Sequence, residues 1–371
     1  MQDLPRTLSE YFDVARARLA PGTAAYFLNG AGAELTLHRN RSDLEAIQVL
    51  PRVLRDLRGG NTALKLCDRN FAHPILVAPM AYQTLLDPEG ESACAAAATA
   101  QDTCMVLSAQ AAQPMDRVRA AGPECRWFQL YWQASRTATM TLVQRAADAG
   151  FEVLILTVDA PVSGVRDGEI TAGFALPEGV GPVNLQGLPI PRFVPLGDGE
   201  SALFDRIAHI LPNWEDVAWL CANAPLPVIL KGILAPQDAM LAVQAGAAGV
   251  IVSNHGGRVL DGAPSAISML PGVVAQVNGA VPVLMDGGVR RGVDVFRALA
   301  LGARAVLVGR PVACGLAVGG ALGASHVLRL LREELEVAMA LSGCRRLDDI
   351  TPDRVIPPAP LSPAGSGNSV E

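Results

Sequence analysis

One unit repeats through the middle of the chain: a helical segment that ends at a glycine and is followed by an apolar, β-branched run. Three copies read RAADAGFEVLILTVD (145–159), AVQAGAAGVIVSN (242–254) and ALALGARAVLVGR (298–310). A glycine after a helix suits the left-handed backbone that often ends helices. The apolar runs do not alternate with polar residues, which is typical of parallel strands covered on both faces. The repeat therefore predicts helices and strands alternating around a parallel sheet.

Five further runs of the same kind bring the number of predicted strands to eight. They read HPILVAPM (73–80), CMVLSA (104–109), RWFQLY (126–131), LPVILKG (226–232) and VPVLMDGG (281–288). Eight alternating units favour an α/β fold of the closed (β/α)8 type, a TIM barrel, over the alternative of an open doubly wound sheet.

Segments outside these units complete the predicted organisation. Residues 1–72 read as an N-terminal helical segment packing on a barrel that spans 73–350, and residues 351–371, rich in Pro, Ser and Gly, read as a flexible tail. A long loop after the fourth strand, from Asp159 to Leu226, has the length expected of an active-site lid or a disordered linker.

Composition excludes several classes of protein. A hydrophobic fraction of 50 % with 18 % charged residues is too apolar for intrinsic disorder. The 30 Lys and Arg against 36 Asp and Glu leave a net charge of −6, so no broad basic surface for nucleic acid is expected. The 7 cysteines are an odd number without a C-x-x-C pair, so we expect no disulfide framework and no metal site.

The cysteine pattern also suits a reducing compartment, so the predicted location is the cytoplasm. The start MQDLPRTLSEYF lacks the basic and apolar regions of a signal peptide. The most apolar stretch, residues 305–328, contains Arg310, His326 and several glycines, so no membrane span is expected there.

Polar residues gather where the predicted strands end, which is where barrels of this type place their chemistry. In chain order, the residues at these strand ends, most of them polar, are Ala78–Gln83, Ser108, Gln129, Tyr131, Thr157, Asp159, Arg166, Lys231, Ser253, Asn254, His255, Arg258, Asp286, Gly287, Gly288, Arg290, Gly309 and Arg310. A packing role alone does not explain so many polar groups after apolar strands.

The last two strands end in DGGVRRG and VGRP, which place glycines and arginines at the usual phosphate position of such barrels. Tight turns with solvated arginines are the alternative. No Walker A motif is present, and GAGAEL (30–35) lacks the third glycine and the preceding strand of a dinucleotide fingerprint. The pattern favours a phosphorylated cofactor held by the barrel.

His255 follows a predicted strand, and Asp159 is a partner that would fix its tautomer as a general base requires. Lys231 is either a Schiff-base nucleophile or a fixed positive charge near a cofactor. Arg166 and Arg258 are suited to holding a substrate carboxylate, with ordinary surface ion pairs as the alternative.

Four segments together carry a resemblance to a known family. They read FQLYW, LPVILKG, SNHGGRVLDGAP and PVLMDGGVRRGVDVFRALALGARAVLVGRP. They resemble the FMN-dependent α-hydroxy acid oxidases and dehydrogenases, which include glycolate oxidase, lactate oxidase and the mandelate enzymes, and the likeness runs from about Tyr11 to about Ile350. APMAYQ and the loop after the fourth strand are most similar to the hydroxymandelate oxidase branch.

The resemblance implies a role for each matching residue. His255 would be the base with Asp159 as its partner, and Arg258 and Arg166 would hold the substrate carboxylate with Tyr26 and Tyr131. FMN would contact Ala78, Pro79, Met80, Ala81, Ser108, Gln129, Thr157, Lys231, Ser253, Asp286, Gly287, Gly288, Arg290, Gly309 and Arg310.

The implied activity is oxidation of an (S)-2-hydroxy acid to the 2-oxo acid by an FMN enzyme that is commonly a homotetramer. Ala81, where the dehydrogenases of the family tend to have glycine, favours oxygen as acceptor. Gln110, where glycolate oxidase has tryptophan, suggests room for a larger, mandelate-like acid. Two alternatives remain at this stage: a Schiff-base aldolase using Lys231, and an FMN barrel of the isomerase or dihydroorotate dehydrogenase type.

Overall fold

The chain begins with a mainly helical segment. The structure, a computed structural model, describes residues 4–124, 126–189 and 195–357. The first elements are α1 (Leu8–Arg18), α2 (Pro21–Leu28), α3 (Leu35–Ala46), β1 (Gln48–Val49), β2 (Leu64–Leu66) and β3 (Arg69–Phe71). Strands β2 and β3 form an antiparallel hairpin whose Leu64, Leu66 and Phe71 join the apolar cluster inside the barrel. Because the hairpin ends shortly before the first barrel strand and its apolar side chains pack inside the barrel, it closes the N-terminal end of the barrel.

Eight parallel strands form the barrel, and each overlaps one of the predicted runs. They are β4 (Ile75–Val77), β5 (Val106–Ser108), β6 (Trp127–Leu130), β7 (Val153–Thr157), β8 (Val228–Ile233), β9 (Gly249–Val252), β10 (Val283–Asp286) and β11 (Val306–Val308). Pairing runs from β5 in order to β11 and then to β4, and a parallel bridge between Val77 and Met105 completes the ring. The predicted TIM barrel is confirmed.

Helices cover the outside of the strands. They are α4 (Gly90–Ala100), α5 (Met115–Ala121), α6 (Arg136–Asp148), α7 (Asp167–Thr171), α8 (Trp214–Asn223), α9 (Pro236–Gln244), α10 (Ala266–Val277), α11 (Gly292–Ala300) and α12 (Arg310–Leu341). The three glycines of the repeat follow α6, α9 and α11 with positive φ: +82° at Gly150, +87° at Gly246 and +101° at Gly302. Their backbone conformation is the one that the sequence predicts.

Apolar residues are buried on both faces of the strands. In β4, Leu76 belongs to the cluster inside the barrel, while Ile75 and Val77 belong to the cluster between strands and helices. The absence of alternation in the runs therefore has a direct cause, because neither face of these strands meets water.

Helix α12 is the one helix in the described ranges that is long and apolar enough to cross a membrane, and 61 % of its most apolar window is buried inside the protein. Gly319 and Gly320 break it with non-helical dihedral angles. Its first half then packs on its second half, where a Cβ on Gly323 would lie 2.1 Å from the carbonyl oxygen of Gly315. Burial and the kink identify α12 as a core helix.

The loop after β7 contains secondary structure of its own. It contains α7, two short 3₁₀ turns (Val183–Leu185 and Ile207–Ile210) and α8, while residues 190–194 lie outside the described ranges. Strand β12 (Val355–Ile356) pairs with β1, with Gln48 opposite Ile356. The prediction of a flexible tail is therefore wrong for 351–356, because this stretch supplies the partner strand that β1 needs; residues 358–371 lie outside the described part of the chain.

Replacing Gly323 with alanine tests the close packing inside α12. The added Cβ overlaps the Gly315 carbonyl, so we expect a loss of about 1–3 kcal/mol in the free energy of unfolding. Gly181→Ala is the matched control, since a Cβ there meets no atom within 4 Å. Denaturant titrations of the two variants measure the difference, and equal stability would contradict the packing described here.

Candidate active site

A cavity of about 490 Å³ opens at the C-terminal ends of the barrel strands. Its wall contains nearly all of the predicted site residues: Tyr26, Ala78–Ala81, Ser108, Gln129, Tyr131, Thr157, Arg166, Lys231, His255, Arg258, Asp286, Gly287, Gly288, Arg290, Gly309 and Arg310. Asp159 and Ser253 lie behind this wall, where they contact His255 and Lys231. The fold thus brings residues from the whole length of the chain into one place.

His255 is held by its neighbours in a fixed orientation. It has a left-handed backbone conformation (φ +58°), and its N–H donates to Ser253 Oγ at 2.9 Å. Its ring Nδ1 lies 2.9 Å from Asp159 Oδ1. With Nδ1 engaged, Nε2 is the ring nitrogen left to accept a proton from a substrate in the cavity.

Asp159 is suited to stabilising a positive charge on that imidazole. Burial would raise the pKa of its carboxyl, but the charge and hydrogen bond of His255 and the charge of Lys231 outweigh it and lower the pKa. The Asp159 side chain packs directly against the backbone of Gly232. A Cβ on residue 232 would lie 2.5 Å from Asp159 Cγ, so the glycine leaves the space that the carboxylate occupies.

Two tyrosines line the same part of the cavity. Burial raises the pKa of Tyr26 to about 12, although Arg258 and Arg166 oppose the rise. Burial also raises the pKa of Tyr131, against the charge of Lys231. Both phenols therefore stay protonated near neutral pH and are able to donate a hydrogen bond to an anionic ligand.

Arg258 and Arg166 lie side by side near Tyr26, with guanidinium carbons 5.1 Å and 6.0 Å from its ring centroid. Arg258 Nη1 donates to the carbonyl oxygens of Tyr26 and Asn29. Burial and the nearby charge of Arg166 lower the pKa of Arg258. Two crowded cations at the edge of a cavity are suited to binding an anion such as a carboxylate.

Glu169 lies between these arginines and is not among the site residues predicted from the sequence. Its Oε1 is 3.2 Å from Arg258 Nη2 and 3.2 Å from Arg166 Nη1. The spacing from Arg166, three residues along α7, is an ordinary helical ion-pair spacing, so the sequence carries no signal for the contact with Arg258.

Lys231 forms a buried ion pair and is only 3 % exposed. Its Nζ lies 2.9 Å from Asp286 Oδ2 and 3.0 Å from Ser253 Oγ. Burial would lower the pKa of Lys231, but the charges of Asp286 and Asp159 raise it above the ordinary value. A Schiff-base nucleophile needs a neutral amine, so this environment favours the fixed positive charge over the aldolase alternative.

Two further cations lie at the ends of β10 and β11. The Arg290 guanidinium lies over the Phe12 ring at 4.5 Å and makes no hydrogen bond to any residue within the described ranges. Burial lowers the pKa of Arg290 to about 10, and it also lowers that of Arg310. Arg310 donates to the carbonyl oxygens of Gly256 and Asn29, both at 2.8 Å. Neither cation has a carboxylate partner within the described ranges, so both are free to balance the charge of a bound phosphate.

Side chains from α3 and α11 support the loops of this site, and sequence reasoning did not single them out. Asp294 accepts the N–H groups of Arg290 at 2.9 Å and Arg291 at 3.0 Å. Asn40 and Asn254 exchange two amide hydrogen bonds of 2.9 Å and 2.8 Å. Asn40 comes from a helix 214 residues away from Asn254 in the chain, so no local pattern could indicate this pair.

The cavity wall fits FMN, the cofactor expected from the sequence. Besides Arg290 and Arg310, which have no carboxylate partner in the described part of the chain, two buried polar atoms there, Gln129 Nε2 and Asp286 Oδ1, have no hydrogen-bond partner. Such buried groups are costly unless a ligand satisfies them. An amide donor, a carboxylate acceptor and two cations along one cavity match the ring edge, ribityl chain and phosphate of FMN.

Comparisons with known proteins agree with this geometry. Residues 15–357 match the family described as FMN-dependent dehydrogenase. The chain is 52 % identical over 350 residues to an L-lactate oxidase of Roseobacter sp. (strain GAI101), covering 94 % of both chains. It is 42 % identical over 344 residues to glycolate oxidase 3 of Arabidopsis thaliana, covering 92 % of this chain and 93 % of that one. A structure of mandelate oxidase with benzoyl-formic acid aligns with a TM-score of 0.84 at 42 % identity, covering 94 % and 97 %.

Arg290→Met tests the phosphate site. Loss of a charged hydrogen bond is worth about 1.5–3 kcal/mol, so the dissociation constant of FMN should rise roughly 10- to 100-fold. Arg291→Met is the control, because this neighbouring side chain is half exposed and pairs with Glu334. Titration of FMN fluorescence measures both, and an unchanged affinity in Arg290→Met would contradict a phosphate contact at Arg290.

Proposed function

The chain belongs to the FMN-dependent dehydrogenase family, and from that premise we propose that it oxidises a 2-hydroxy acid to the 2-oxo acid. The substrate loses two electrons and two protons, and oxygen accepts them as hydrogen peroxide. The observation that carries the proposal is the cavity itself, in which His255, backed by Asp159, shares one wall with Arg166 and Arg258. The isomerase and dihydroorotate dehydrogenase alternatives do not explain the arginine pair.

In this mechanism the arginines position the substrate. The carboxylate of the acid binds Arg258 and Arg166, and the Tyr26 and Tyr131 hydroxyls donate to the same end of the molecule. Fixing the carboxylate places the α-carbon and its hydroxyl near His255, which lies on the next part of the wall. Holding reacting groups in this way removes much of the entropic cost of the reaction.

His255 then removes a proton from the substrate at Nε2, and Asp159 stabilises the imidazolium that forms. FMN, when bound, supplies the two-electron acceptor. The positive charge of Lys231, fixed by Asp286, stabilises negative charge that develops on that side of the cavity.

The substrate side chain is the next part of the proposal. Gln110 lines the cavity where the family resemblance places a tryptophan in glycolate oxidase, and Ala81 lies on the same wall. A flexible, smaller side chain leaves room beyond the α-carbon. We therefore propose that the pocket takes 2-hydroxy acids larger than glycolate, including lactate and an aromatic acid such as mandelate.

We also propose a homotetramer located in the cytoplasm. The family resemblance supports the tetramer, and so does an apolar stretch near β1 in which Val53 is 77 % and Leu54 101 % exposed. The cysteine pattern supports the location: the six cysteines in the described ranges are all free. Light scattering of the purified protein tests the tetramer.

His255→Gln tests the base. Glutamine keeps a hydrogen-bonding group but has no titratable nitrogen, so reduction of the bound FMN by substrate should slow about 10²- to 10⁴-fold. Asp159→Asn should slow the same step less, because the imidazole remains. Anaerobic stopped-flow bleaching of the flavin absorbance measures the step, with FMN content as the control for folding. A His255→Gln rate near that of the wild type would remove His255 from the mechanism.

Gln110→Trp tests the substrate pocket. The indole fills the space beyond the α-carbon, so kcat/KM for mandelate should fall at least tenfold more than kcat/KM for glycolate, a difference of about 1.4 kcal/mol. Gln110→Met keeps the side-chain volume and should leave the ratio unchanged. A wild-type preference for glycolate over both larger acids by tenfold would refute this part of the proposal and leave the flavin chemistry in place.

A further inference from the structure

Glu169 has a position that the mechanism above does not use. One carboxylate oxygen is shared between two guanidinium groups, with both N–O distances at 3.2 Å. The Glu169 side chain is 12 % exposed, and those of Arg258 and Arg166 are 17 % and 23 % exposed. Water therefore screens these three charges only weakly, and the sum of the three charges acts strongly on an anion bound beside them.

Helix α7 is held against α2, which keeps Glu169 in this place. The two helices are in contact, and a Cβ on Gly168 would lie 2.3 Å from Asn29 Nδ2 at the end of α2. Phe174, just after α7, stacks on Tyr26 with ring centroids 4.7 Å apart and an angle of 25° between the rings. The carboxylate of Glu169 thus lies behind the two arginines of the cavity wall and is largely shielded from solvent.

We propose that Glu169 sets the charge of the substrate that the arginine pair accepts. Two guanidinium charges and one carboxylate leave one net positive charge, which complements a single carboxylate. A 2-hydroxy acid with a second carboxylate would bring an additional negative charge close to Glu169, so the site selects monocarboxylates. Glu169 is a positioning and specificity residue that acts through Arg258 and Arg166, and the inference rests on the proposed function.

The test compares two competitive inhibitors of nearly equal size, propionate and malonate, at a pH where both carboxyl groups of malonate are ionised. In the FMN-loaded Glu169→Gln variant the negative charge is gone while the shape is kept. Both inhibitors should bind more tightly, malonate by the larger factor. The ratio of the inhibition constants, propionate over malonate, should rise at least tenfold relative to the wild type.

Three further variants separate charge from structure. Glu169→Asp keeps the charge and should leave the ratio close to the wild-type value, even if KM rises. The double variant Arg166→Gln/Glu169→Gln restores one net positive charge and should return the ratio toward the wild type. Glu333→Gln makes the same charge change in an exposed pair with Arg329 and should alter nothing.

If Glu169→Gln fails to retain FMN, the double variant still tests the proposal, because replacing Arg166 as well removes the unbalanced repulsion between the two arginines. An equal change for propionate and malonate in Glu169→Gln, or a ratio in the double variant unlike that of the wild type, would overturn the role of Glu169. If the wild type oxidises no 2-hydroxy acid, the proposed function itself fails. If it is active and the ratio does not respond, only the role of Glu169 is refuted.

Discussion

The structure depends on an excess of buried positive charge at one end of the barrel. Lys231, Arg258, Arg290 and Arg310 all line one cavity, and two of them, Arg290 and Arg310, have no carboxylate partner in the described part of the chain. Burying unpaired cations is costly, so the wall is stable only when anions complete it. In the proposed function, the phosphate of FMN and the carboxylate of the substrate would supply that negative charge at neighbouring places in the cavity.

Each carboxylate near the cavity has a different partner and a different task. Asp159 fixes the tautomer of His255, and Asp286 holds Lys231 protonated. Asp294 orders the backbone of the loop after β10, and Glu169 balances the arginine pair. The four carboxylates have similar intrinsic chemistry but different roles, because each lies beside a different set of charged and hydrogen-bonding groups.

The barrel makes this arrangement possible through close backbone approaches. Gly232 leaves room for Asp159 beside His255, and Gly168 lies against the Asn29 side chain at the end of α2. The short β12 strand ties the C-terminal stretch to β1, next to the N-terminal helices. These contacts join segments that are far apart in the chain.

The sequence by itself determined the barrel, since eight apolar runs, three of them directly after a helix that ends at a glycine, leave few other folds, and each run overlaps a strand. It also indicated the candidate site, because polar residues such as Lys231 and His255 follow those runs directly. Only the tertiary structure decided the contacts of Glu169 with Arg258, of Asn40 with Asn254, and of β12 with β1. The physical reason is that periodicity reports which face of a local element is buried, whereas these contacts depend on the distances between elements after the barrel has closed.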